Sequence, residues 1–173
     1  ETDLREGLAQ NQFYLAYQPQ VDARGKMIGV EALLRWNNPE RSTLSPAVFI
    51  PIAEEAGLID ALGFFSLRRA FQDSRRWPGL KIAVNVSPVQ LRRKDFVDYV
   101  KDALASVKQA GERIDIEITE SMLMEDIEGS IEKLEAMQAL GLNVAIDDFG
   151  TGYSSLSYLA RLPINSLKID RSF

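Results

Sequence analysis

The chain contains no cysteine and no histidine in 173 residues. Without cysteine there is no disulfide framework, no thiol nucleophile and no thiolate-bound zinc. That absence suits the cytosol. Without histidine, the commonest general base and the commonest transition-metal ligand are both missing. Catalysis would have to rest on carboxylates, lysine, tyrosine or a metal-activated water. Any metal site would be built from oxygen, which favours hard cations such as Mg2+, Mn2+ or Ca2+. No apolar run approaches the roughly 18 residues needed to span a bilayer, so no membrane segment is expected. Basic charge is also short: 20 basic residues stand against 25 acidic ones, for a net charge of -5. A non-specific nucleic-acid binder would show a basic stripe, so no DNA partner is expected. Arg68-Arg69, Arg75-Arg76 and Arg92-Arg93-Lys94 read as solvated faces of helices or loops. The opening ETDLREGLAQ is too acidic and polar for a signal peptide. The chain starts without Met and stops on Phe173 directly after a strand-like run, so it reads as a piece of a longer protein.

What is present is ordinary for a globular domain: 46% hydrophobic and 26% charged residues, in a length suited to one domain with a sizeable core. There is no low-complexity linker and no internal repeat. Two apolar runs, FYLAYQPQV (13–21) and MIGVEALLRW (27–36), are separated only by DARGK. So short a link cannot make a parallel crossover, which predicts an antiparallel hairpin. Beyond it, Ser45 as N-cap, Pro46 at N1 and Gly57 as stop frame a helix. A second helix is expected over 60–76, a strand over 81–87, and a helix over 95–111 ended by Gly111. Then follow a strand at 114–120, a helix at 130–141, the strand NVAID, a short helix SSLSYLARL and a last strand at 166–173. Alternating strands and helices mean βα units and a largely parallel sheet. Both a barrel and an open doubly wound sheet fit this pattern.

Side chains alternate across a strand, and five strands repeat one arrangement. Ile28, Val30 and Leu34 oppose Glu31 and Arg35. Ile82, Val84 and Val86 oppose Ala83 and Asn85. Ile114, Ile116 and Ile118 oppose Asp115 and Glu117. Val144 and Ile146 oppose Ala145 and Asp147, and Leu167 and Ile169 oppose Lys168 and Asp170. The apolar faces would pack under helices. The other face carries a polar group late in each strand: Glu31, Asn85, Glu117, Asp147 and Lys168. One such residue would be a strand-end charge touching solvent. Five at matching parity converge where parallel sheets place their active sites. Several converging carboxylates need protons or cations to coexist. Oxygen ligands without histidine fit Mg2+ or Mn2+, and a carboxylate shared by two metals is the usual arrangement for hydrolysing phosphate esters. The carboxylate set alone would also allow enolate chemistry with Mg2+ and a lysine. The glycines of DDFGTG suggest a tight loop after a strand; no Gly-Lys-Ser/Thr completes a phosphate-binding motif there.

EALLRW (31–36), NVS (85–87), IEITES (116–121), IDDFGTGYSSL (146–156) and LKIDRSF (167–173) occur in this order. Together they resemble the EAL domain, a bacterial phosphodiesterase domain, over essentially the whole chain. The resemblance implies a TIM-like (β/α) barrel with an antiparallel first strand, spanning 1–173 and truncated after the sixth of eight strands. It implies hydrolysis of cyclic di-GMP to linear pGpG with two Mg2+ or Mn2+ ions. Glu31, Asn85, Glu117 and Asp147 match the ligands of one metal, and Asp147 would bridge to a second that Asp148 also contacts. Lys168 matches the catalytic lysine, with Asp148 and Glu120 beside it in the catalytic set; Glu120 would tether the loop 149–155. Gln18, Arg35 and Asp170 match substrate-contacting positions. The family's properties further imply a homodimer, companion sensory or GGDEF domains, and a cytoplasmic location or a place at the cytoplasmic face of the inner membrane. Family members continue with a strand carrying Glu-Gly-Val-Glu and a later Gln-Gly-Tyr segment, neither of which this chain contains. The alternative is a module that binds cyclic di-GMP or dimerises without turnover.

Overall fold

The computed structural model describes residues 1–40, 42–105, 107, 113–150, 159 and 161–172, without the side chains of residues 124 and 125. The hairpin forms as its short link requires. Strand β1 (Phe13–Val21) pairs antiparallel with β2 (Met27–Asn38), Gln18 opposite Glu31, around a turn with Gly25 at φ +75°. A short strand, β3 (Ser42–Leu44), folds back on the end of β2. From there the pairing is parallel: β2 to β4 (Lys81–Asn85), then β5 (Ile114–Thr119), β6 (Asn143–Phe149) and β7 (Ser166–Ile169). The order β1-β2-β4-β5-β6-β7 supplies the six expected strands. This is the TIM-like α/β architecture with an antiparallel first strand.

The helices are α1 (Thr2–Ala9), α2 (Pro46–Glu55), α3 (Ile59–Asp73), α4 (Pro88–Arg92), α5 (Phe96–Ala105), α6 (Glu120–Glu125) and α7 (Ile127–Ala139). None is long and apolar enough to cross a membrane among the described residues. Strand parity decides what they cover. Ile82, Val84, Ile114, Ile116, Ile118, Val144 and Ile146 are all essentially inaccessible. They pack with Leu67 and Phe71 of α3, Phe96 and Val100 of α5, and Leu134 and Met137 of α7. Each fully buried side chain of this size contributes about 1.5–3 kcal/mol. A second cluster, with Leu4, Phe13, Trp36, Phe49 and Leu62, joins α1, α2 and α3 to the hairpin. Phe13 stacks on Trp36, and Phe49 meets both rings edge-on.

Several boundaries differ from those the pattern predicts. Ser45 is extended before α2, but its side chain makes no capping hydrogen bond. The expected helix 60–76 is α3 followed by a 3-10 turn at Ser74–Arg76. Helix α7 begins earlier than 130 because Asp126 caps it, accepting from Gly129 N. The last strand stops at Ile169, where Asp170 turns the chain by accepting from Ser172 N. Ile28, Leu167 and Ile169 do not pack under helices. They are exposed at 50%, 41% and 64%, beside the hairpin turn and on the β7 edge. Leu34 packs against the second cluster instead of under the main helix layer. Elements α1, β3, α4 and α6 have no counterpart in the predicted set. Gly111, most of the predicted helix 154–162 and residues 151–155 of the loop lie outside the described residues.

Candidate active site

The polar strand ends meet. Lys168 Nζ of β7 lies 2.7 Å from the Glu117 carboxylate of β5. It is 3.3 Å from Glu31 of β2 and 3.3 Å from Asp147 of β6. Asn85 of β4 donates from Nδ2 to Glu31 Oε1 at 2.9 Å. The stagger of the strands makes this possible. Asn85 is level with Glu117, but Glu31 pairs with Ala83 and Asp147 with Thr119, each two residues out of line. Tilt around a barrel axis brings such staggered positions to one height.

Burial sets the electrostatics. Only 2% of the Glu117 side chain is exposed. Burial pushes its carboxyl up to about 7; the Lys168 hydrogen bond and charge oppose this, and the charges of Glu31 and Asp147 add to it. Burial alone would lower the Lys168 ammonium, yet the Glu117 hydrogen bond and the surrounding carboxylates outweigh it and hold the pKa above the usual lysine value. One ammonium cannot neutralise three carboxylates. Oxygens of Glu31, Glu117 and Asp147 lie within 4.8 Å of one another, close enough to share one ion. An all-oxygen set with a negative excess suits a hard divalent cation.

Asp147 and Asp148 occupy a bulge. The β6–β7 register shifts between Ile146 and Phe149. Asp148 adopts φ +53° and donates its backbone N–H to Asp147 Oδ1 at 2.9 Å. The left-handed bend is why adjacent residues need not face opposite sides of the sheet. Burial raises the Asp148 pKa, followed by the charges of Asp147 and Asp170. Asp148 remains outside the tight group formed by Glu31, Glu117 and Asp147. Glu120, 3% exposed at the start of α6, accepts from Gly150 N at 2.9 Å and so grips the first residues after β6.

The expected substrate-contacting residues are spread more widely. Gln18 is exposed on β1, opposite Glu31. Arg35 shares the Glu31 face of β2, donates to Leu34 O at 2.9 Å, and borders a cavity of about 330 Å3 with Glu54, Asn85, Ser87 and Gln90. Asp170 is engaged by its own turn, and the Ser172 hydroxyl hydrogen bond lowers its pKa. Gln90 was not among the sequence-predicted residues. Its signal was the spacing Ser87-Pro88-Val89-Gln90, a capping box.

The family model described as "EAL domain" matches residues 1–173. The chain is 45% identical to the bifunctional diguanylate cyclase/cyclic di-GMP phosphodiesterase MucR of Pseudomonas aeruginosa, over 99% of this chain and 26% of MucR. It is 44% identical to the cyclic di-GMP phosphodiesterase NbdA of the same organism, over 100% of this chain and 23% of NbdA. It therefore spans about a quarter of the length of these curated relatives. The MucR phosphodiesterase solved in complex with c-di-GMP superposes with a TM-score of 0.94 at 45% identity, covering 99% of this chain and 72% of that one.

Proposed function

The chain belongs to the EAL domain family, and on that premise we propose that it carries the metal-binding half of a phosphodiesterase site that hydrolyses cyclic di-GMP to linear pGpG. The observation that carries the proposal is the ammonium of Lys168 set among Glu31, Glu117 and Asp147 from three other strands. Residues 1–173 are read as part of a longer EAL domain; coverage of 72% of the MucR phosphodiesterase supports that reading.

Glu31, Glu117 and Asp147 would hold one Mg2+ or Mn2+ ion with the Asn85 carbonyl oxygen, since the Asn85 amide nitrogen already donates to Glu31. Asp147 and Asp148 would share a second. Bound there, the ions would act as Lewis acids toward the phosphate and acidify a water at neutral pH. The chain's own groups do the rest. Lys168 offers a fixed positive charge for the charge that builds on phosphate oxygens as the ester breaks. Arg35, with its planar fork, suits a phosphate oxygen pair, and Gln18 and Asp170 would orient the remaining nucleotide groups. Glu120 would keep the segment after Asp148 in place through Gly150 N.

The proposal extends to a cytoplasmic setting, a homodimer, and companion sensory or GGDEF domains in the longer chain. The bifunctional name of MucR supports the last of these. The test is incubation of the full-length parent with cyclic di-GMP and Mn2+ or Mg2+, following pGpG by chromatography. Release of pGpG that disappears in K168M is the expected result. Binding by calorimetry without release would favour a non-catalytic module.

A further inference from the structure

Gln90 is 1% exposed, yet it belongs to no ion pair and its amide nitrogen Nε2 has no hydrogen-bond partner among the described residues. A buried, unpaired donor costs stability, so the side chain is retained for something its other atoms do. Oε1 accepts from Ser87 N at 3.1 Å, and Gln90 N donates to Ser87 Oγ at 3.2 Å. This reciprocal pair grips the backbone two residues after Asn85. On the other side of the same segment, Val86 N donates to the carbonyl oxygen of Glu117 at 2.9 Å. The two peptide groups that follow Asn85 are thus each held, through Val86 N and Ser87 N. One hold is the backbone of Glu117 and the other is the Gln90 amide.

The neighbouring helix is shaped around that amide. A Cβ on Gly63 of α3 would fall 2.1 Å from Gln90 Nε2 and 2.3 Å from its Oε1. A side chain at this point would have to displace the Gln90 amide from its bond to Ser87 N. Gly63 is not in a left-handed turn that would otherwise call for glycine: it sits inside a 15-residue helix, where glycine is a poor choice on propensity. Two unfavourable choices, an unpaired buried donor and a helical glycine, are therefore spent on one contact. That contact reaches Ser87, two residues after Asn85, whose Nδ2 donates to Glu31 in the carboxylate cluster.

We propose that Gln90 is a positioning residue, which sets the Asn85 amide in the metal-binding cluster through the Ser87 turn, with Gly63 as the groove that seats it. The inference rests on the reading of Asn85 as a metal ligand. Outer hydrogen bonds of this kind hold a ligand in its binding orientation, and losing one costs roughly 10–100-fold in metal affinity.

The experiment is Mn2+ titration calorimetry on the full-length parent protein carrying Q90M, S87A, S87T, N85A or the double change N85A/Q90M, with melting curves to confirm folding. Q90M keeps the volume and removes the amide oxygen that accepts from Ser87 N; S87A removes only the hydroxyl to which Gln90 N donates. Both are expected to weaken Mn2+ binding by roughly 10-fold. S87T keeps the hydroxyl and is expected to restore it. The double variant is expected to bind no worse than N85A alone, because Gln90 acts only through Asn85. If N85A weakens binding while Q90M and S87A do not, or if the losses in N85A/Q90M add in full, the positioning role is wrong and the metal reading survives. If N85A itself leaves Mn2+ affinity unchanged, the metal reading of Asn85 falls and takes this inference with it. Should Q90M fail to fold, Q90L and Q90E take its place: Q90E keeps a side-chain oxygen that can accept from Ser87 N and Q90L does not, so equal Mn2+ affinities in the two would overturn the role.

Discussion

Glu117 shows how one residue can be a liability and a device at once. Its carboxyl is buried and its pKa is pushed up to about 7. A raised carboxyl pKa contributes stability that is complete below the unfolded value and is lost as pH rises through the folded one. The metal-free protein is therefore expected to lose stability between about pH 4.5 and pH 7 and slightly above, by an amount on the order of 3 kcal/mol. Melting curves in EDTA across that range would measure it, and E117Q should flatten the dependence. Divalent cations should act in the opposite direction, binding more tightly as pH rises because the ligands must be deprotonated. The neighbouring pair makes a second residue-scale case. Asp147 belongs to the tight carboxylate group and Asp148 does not. D147N should cost more Mn2+ affinity than D148N in titration calorimetry; equal losses would remove the bridging role for Asp147. D148N should also keep the fold, since Asn tolerates the left-handed φ of +53° that this position uses.

Among the elements, the antiparallel β1 is the one that cannot rely on a covering βα helix of its own. It is tied down from outside the hairpin. Tyr17 donates its hydroxyl to Asp73 at 2.7 Å, and Asp73 also pairs with Arg69 at 2.8 Å and Arg76 at 3.5 Å. Trp77 meets the Tyr17 ring edge-on. Burial and the Asp73 hydrogen bond raise the Tyr17 pKa well above the usual phenol value, so the hydroxyl stays a donor. Y17F should cost about 1–3 kcal/mol by leaving Asp73 short of a partner. A lowered denaturant midpoint with unchanged metal affinity is the expected pattern. A large drop in metal affinity would mean that β1 shapes the cluster, and not only the edge of the sheet.

At the scale of the whole molecule, the barrel wall has two edges among the described residues. Exposed apolar side chains lie on or beside them: Val21 on β1, with Met27 and Ile28 across the turn on β2, and Leu167 and Ile169 on β7. Exposed strand edges with apolar side chains promote association. Residues 1–173 produced alone should self-associate, and I169K should reduce this in light scattering without moving the melting temperature by more than a degree or two. No change in scattering would show that β7 is not the sticky edge. Ile169 follows Lys168 but takes the other face of β7, so this charge should leave Mn2+ binding intact.

How much of this was legible beforehand follows from the range of the interactions. Parity along a strand is local. Ile114, Ile116 and Ile118 against Asp115 and Glu117 could be read directly, and so could the hairpin and the oxygen-only donor set that a chain without histidine and cysteine leaves. The order of the EAL-like motifs added the expected fold and site residues. What stayed hidden depends on partners distant in the chain. The two-residue stagger that brings Glu31, Glu117 and Asp147 together is a property of strand tilt across the sheet. The exposure of Leu167 and Ile169 depends on what covers β7. The buried Gln90 amide depends on a glycine 27 positions earlier on another helix. The sequence by itself determined which groups exist and which face each one takes, because alternation is set by neighbours in the chain. Only the tertiary structure decided how close those groups come and how deeply they are buried, because distance and desolvation are set by packing between elements.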